Sequence, residues 1–116
     1  MTRSTSRISA RVPDSPQEEA RLARRVRLLA LAGALDDLGL RARLAEYVLK
    51  PTLLRCWNPD MMSQTLLVVC ERSKTTGRWE FRHHPGNRTF ADAENVTEPA
   101  HAREAAEILA PTLLNP

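Results

Sequence analysis

Gln64-Thr-Leu-Leu-Val-Val-Cys-Glu71 is a short, wholly apolar centre between polar ends. Such a segment buries both of its faces, which predicts a strand at a central position in a sheet. The neighbouring stretches read outward from it. On the C-terminal side Ser73-Lys-Thr-Thr-Gly77 is a polar turn. Arg78 to His83 then alternates, with Trp79, Phe81 and His83 on one side and Glu80 and Arg82 on the other, a half-buried hairpin partner. Pro85-Gly86-Asn87 ends that strand, and residues 88–97 read as a loop carrying Phe90 onto the core. On the N-terminal side Thr52-Leu-Leu-Arg-Cys-Trp57 is a strand closed by the turn former Asn58-Pro59-Asp60, and Pro51 forbids a helix from running into it. Leu40, Ala42 and Leu44 alternate with Arg41 and Arg43 as a strand does, while Leu44, Tyr47 and Val48 also suit a helix. The strand is the favoured reading.

Helices flank this block. In Ser15-Pro16-Gln17-Glu18 the serine can accept from a first-turn amide, proline suits the first helical position, and Glu18 can bond back. The helix runs to Leu38, and Gly39 is the left-handed residue that ends it. Its apolar residues fall on two faces: Leu22, Val26 and Leu29 on one, Leu28, Leu31, Leu35 and Leu38 on nearly the opposite one. Either the helix bends near Ala32-Gly33-Ala34 and brings both faces onto one core, or one face is shared with a partner such as a second copy. A last helix opens at Thr97 or Glu98, with Pro99 in its first turn. Ala105, Ile108 and Leu109 form its apolar stripe, and Pro111 marks where it must soon stop.

The fold class expected is therefore α+β, two-layered: an N-terminal helix, an antiparallel sheet of three to four strands and a C-terminal helix. With 116 residues there is room for one domain, 15–114, behind a disordered basic tail, 1–14. No apolar run reaches the length of a membrane span and the start lacks the apolar stretch of a secretory signal, so the expected address is cytoplasmic. Basic residues are nearly all Arg, Lys occurring only at Lys50 and Lys74, which suits a GC-rich genome. Residues 1–34 hold seven Arg against three acids, whereas 86–116 hold two Arg against five, so the chain is basic early and acidic late.

The catalytic inventory is thin. His83 and His84 are adjacent and would point to opposite faces of a strand, and His101 sits in the first turn of the last helix. Cys56 and Cys70 read as buried hydrophobes, and with the histidines they lack the paired spacings of zinc sites. Walker A, GxGxxG, GxSxG and HExxH patterns are missing. No catalytic, cofactor-binding or metal-binding residue is expected, and the chain reads as a non-enzyme.

Leu38-Gly39-Leu40, the strand ending Leu54-Arg-Cys-Trp-Asn-Pro59, Gly77-Arg-Trp-Glu-Phe81 and Phe90-Ala-Asp-Ala-Glu94 together resemble small actinobacterial proteins of the type III secretion chaperone-like, or YbjN-like, group. The resemblance implies an α-β-sheet-α layout without an active site and a dimer that holds a client segment. The order helix, three strands, helix is also that of double-stranded RNA-binding domains, whose last helix Ala102 to Leu114 echoes. Their Lys-rich helix start is here Thr97-Glu98-Pro99-Ala100-His101.

The expectation that follows is a non-catalytic protein-binding module, a chaperone or adaptor for a partner protein, homodimeric, with Leu28, Leu31, Leu35, Trp57 and Trp79 as partner-binding residues. The alternative is a nucleic-acid binder that uses the Arg-rich front end, with Arg21, Arg24 and Arg25 on one helix flank.

Overall fold

A computed structural model describes residues 15–47 and 50–115. The tail expected at 1–14, and Val48 in the segment read as strand or helix, lie outside the described residues. The chain forms α1 (Pro16–Asp37), β1 (Arg41–Ala45), β2 (Leu53–Asn58), β3 (Met61–Arg72), β4 (Trp79–His83), β5 (Thr89–Asp92) and α2 (Pro99–Leu114). The strands make one antiparallel sheet in chain order, β1-β2-β3-β4-β5, with the long β3 at its centre. The architecture is α+β with two layers. The sheet has five strands rather than three to four, because Thr89–Asp92 pairs with β4 where a loop was expected. With four residues and one large side chain, β5 has too little periodicity to announce itself; Phe90 is held against Phe81 and His83, at ring centroids of 6.1 and 4.7 Å.

Local chemistry sets the ends of α1. Ser15 Oγ accepts from the Glu18 amide at 3.1 Å, while the Glu18 carboxylate turns to Arg21 instead of bonding back. At the other end Gly39 adopts φ +83°, Gly39 N donates to Asp36 O and Leu40 N donates to Leu35 O. This is the paired-bond helix stop in which the residue after the left-handed glycine packs back on the last turn, and both Leu35 and Leu40 are fully buried. The stop therefore commits the Leu35 face of α1 to the core. Leu28, Leu31, Ala34 and Leu35 all follow it inward, along a helix that runs uninterrupted through Gly33.

α2 continues one turn past Pro111 and stops at Leu114. Proline's missing amide leaves the Glu107 carbonyl without its helical bond. Both residues lie on the exposed side, so that carbonyl is left to water. The buried stripe of α2 is Ala102, Ala105, Ala106, Leu109, Ala110 and Leu113, and Ile108 is exposed rather than part of it. Small residues dominate this stripe, which lets the two helices pack side by side on one face of the sheet.

Inward from the sheet come Leu54, Cys56, Val68, Cys70, Trp79 and Phe81, in one core cluster with both helices. Asn58 is the one buried polar side chain among the described residues. Its amide donates to Leu113 O and its oxygen accepts from Asp60 N, fastening the β2–β3 turn to the end of α2. No described helix is long and apolar enough to cross a membrane.

Cys56 and Cys70 are free thiols with no exposed surface. Burial pushes each thiol up to about 12, and Arg27 lowers Cys70 only in part. In the unfolded chain a cysteine ionises near 8.5. A pKa raised by folding contributes stability below the unfolded value and loses it as pH climbs towards the folded one. The two thiols should thus remove about 2 kcal/mol between about pH 9 and pH 10. Urea denaturation across that window measures the loss, and replacing both cysteines with alanine should flatten the slope. A steep slope surviving in the double variant would assign it to other groups.

Candidate partner-binding face

The helices cover one face of the sheet and leave the other open among the described elements. Cross-strand pairing fixes what stands together on the open face. Arg43 lies opposite Arg55, which lies opposite Leu67; Arg41 lies opposite Trp57, which lies opposite Thr65; Ala45 lies opposite Leu53. Directly opposed residues in an antiparallel pair have Cα atoms roughly 4.5–5.5 Å apart, so Arg43 and Arg55 are immediate like-charged neighbours. Neither has a carboxylate partner among the described residues, whereas Arg41 is paired with Asp36 at 3.0 Å. Arg43 and Arg55 are exposed, and Leu53, Trp57 and Leu67 are half-buried. Two shallow depressions of about 310 and 240 Å³ meet at this arginine pair, the larger bounded by Tyr47, Leu53 and Leu67, the smaller by Trp57 and Thr65.

Of the expected partner-binding residues only Trp57 stands on this face. Leu28, Leu31 and Leu35 are fully buried inside the chain, because the stop at Gly39 turns their side of α1 to the sheet. They are core, and the expectation that they meet a partner is corrected. What α1 leaves outward is the other stripe, half-buried Leu22 with exposed Val26 and Leu29. Trp79 is likewise core, 3% exposed, and is enclosed by the guanidinium groups of Arg72, Arg27 and Arg24 at 4.9, 5.1 and 5.8 Å from its ring. Arg27 also donates to the carbonyls of Ala93 and Glu94, and Glu94 accepts from Trp79 N, which ties α1, β4 and the loop before α2 together.

The arginines on the flank of α1 are each paired with carboxylates. Arg21 pairs with Glu18 and Glu46, Arg25 with Glu46, and Arg24 with Glu71 at 3.1 Å. The carboxylates come from α1 itself, from the residue after β1 and from β3.

The histidines separate as strand geometry requires. His83 faces inward against Phe90, and burial, with Arg88 nearby, holds it below the usual imidazole range. His84 lies on the opposite side, its backbone amide donating to Leu67 O. His101 is exposed on α2 between Glu98 and Glu104, at 3.7 and 3.8 Å. Among the described residues no three His, Cys, Asp or Glu side chains gather as a metal site.

Sequence reasoning missed Arg43 and Arg55 as a pair. Their individual alternation was visible, but their opposition depends on the β1–β2 register, and the connecting segment from Glu46 to Thr52 carries no turn signature that fixes it. Comparison of the chain with protein-family models, with curated proteins and with solved structures matches it to none of them.

Proposed function

We propose that this protein is a non-catalytic binding module whose open sheet face holds an acidic, partly apolar segment of a partner protein. The observation that carries the reading is the unpartnered Arg43–Arg55 pair set beside Trp57, Leu53 and Leu67. Like charges directly opposed across a strand pair cost stability. A bound carboxylate between them removes that cost and gains charge-assisted hydrogen bonds. Trp and Arg are also the residues that anchor protein interfaces when apolar neighbours shield them from water. The partner supplies carboxylates for the arginines and an aliphatic or aromatic side chain for the depression beside Trp57. The role is that of an adaptor or chaperone for the protein carrying that segment.

The direct test is a fluorescence titration with a short peptide alternating Glu and Leu. Trp57 should report binding with an affinity that weakens as salt rises, and the signal should vanish in Trp57→Phe, since Trp79 is enclosed. A peptide alternating Gln and Leu should bind at least tenfold more weakly. Equal binding of the two peptides would defeat the proposal. Tighter binding of a single-stranded oligonucleotide would favour base stacking on Trp57 with phosphates on the arginines.

A further inference from the structure

Beyond Leu67, across β3 and β4, the open side of the sheet sinks into a cleft of about 720 Å³. Clefts of this size accommodate small molecules. Val69, standing opposite Arg82, lies at the floor but is 2% exposed, and the apolar surface is that of Pro51 and Pro85. The walls come from the end of β3 with its Ser73–Gly77 turn, and from the turn after β4.

The charges lining the cleft are unbalanced. Lys74 and Arg82 stand with one carboxylate, Glu71, which is already engaged by Arg24 at 3.1 Å. Arg82 gives Nε and one terminal nitrogen to Glu80 Oε1, and its other terminal nitrogen has no partner among the described residues. Arg72 lines the cleft, but its guanidinium lies over the Trp79 ring on the helix side of the sheet; Lys74 has no carboxylate partner among the described residues. Asn87 adds a further polar side chain from the opposite wall. The Ser73 hydroxyl accepts from the amides of Thr75 and Thr76, so the turn that carries Lys74 is internally braced. Cationic donors thus come from the turn after β3 and from β4 to a space that has an apolar side and, among the described residues, no uncommitted carboxylate. The arrangement suits a group with several acceptor oxygens and close to two negative charges, joined to an apolar body.

We infer that this cleft binds a small phosphomonoester, its phosphoryl oxygens on Lys74 and Arg82 and its apolar body against Pro51 and Pro85. The site is separate from the arginine pair beside Trp57, and the inference does not rest on the protein-partner reading.

Titration of the ¹⁵N-labelled protein with phenyl phosphate tests it by nuclear magnetic resonance. Saturable shifts are expected at the backbone amides of Arg72 to Thr75 and of His84, Gly86 and Asn87. Inorganic phosphate should bind at least tenfold more weakly and benzyl alcohol should not saturate. Lys74→Glu, an exposed turn position, should weaken phenyl phosphate by tenfold or more while the thermal unfolding curve stays in place, and His84→Ala provides a second variant on the other wall. The inference is overturned by any of three results: no saturation by about 10 mM, a concentration beyond which affinity carries little specificity; equal binding of inorganic and phenyl phosphate; or shifts centred on Arg43 and Arg55. The last would leave the Trp57 face standing and remove the cleft.

Discussion

Leu28→Ala should destabilise the protein by about 2–5 kcal/mol, whereas Leu29→Ala, one residue along, should cost within about 0.5 kcal/mol. The contrast follows from where the two side chains lie. Leu28 has no exposed surface and sits in the cluster with Leu31, Leu35 and the inner residues of the sheet. Its truncation removes apolar contact and leaves a cavity in a closely packed interior. Leu29 is 44% exposed on the rim of an open groove beside α2, so its truncation leaves no enclosed cavity. Domains of this size have only about 5–15 kcal/mol in hand, so Leu28→Ala consumes a large part of it. Urea denaturation of both variants measures the difference. Comparable losses at Leu28 and Leu29 would mean that the outer stripe of α1 is also covered in solution, and dilution would show whether a second copy covers it.

The ends of α1 were legible because they are local. Ser15 and Gly39 each act within a few residues through a single hydrogen-bonded geometry, and both act as expected. The choice between the two faces of α1 looked open from periodicity alone. One signal could have decided it: a left-handed glycine with leucine after it packs that leucine on the last helical turn, which places Leu35 with Leu40 and so on the side of the sheet. Other features were beyond reach. Arg21 with Glu18 is an i, i+3 pair that a sequence displays, but Arg25 with Glu46 and Arg24 with Glu71 span 21 and 47 residues. The basic flank was therefore legible and its neutralisation was not. β5 was hidden for a related reason, since what makes Thr89–Asp92 a strand is the neighbouring edge of β4 and not its own pattern. Trp57, expected to bind a partner, stands half-buried on the open face. Its surroundings became visible only with the register that sets Arg43 against Arg55.

Arg55→Glu should make the protein more stable and at the same time less able to bind. On the first count, the substitution turns a directly opposed like-charged pair into an opposite-charged one. Each such cross-strand term is worth roughly 0.2–1 kcal/mol, so relief of repulsion and gain of attraction together amount to about 0.5–2 kcal/mol. Both side chains are exposed, so the gain should shrink as salt screens it, and denaturation at low and high ionic strength separates it from changes in packing. On the second count, the new carboxylate occupies Arg43 and repels an acidic segment. Losing one charge-assisted hydrogen-bonding group from a binding site costs about 1.5–3 kcal/mol, which is about a 10- to 100-fold fall in affinity for the Glu and Leu peptide. The two effects share one cause, since an arginine pair kept apart from any carboxylate is poorly placed for stability and well placed for an anion. Arg55→Thr, which removes the repulsion without supplying a carboxylate, should lie between the parent and Arg55→Glu in both measurements. If Arg55→Glu bound the acidic peptide as tightly as the parent, the arginine pair would be a solvated surface and the partner would have to be sought elsewhere on the molecule.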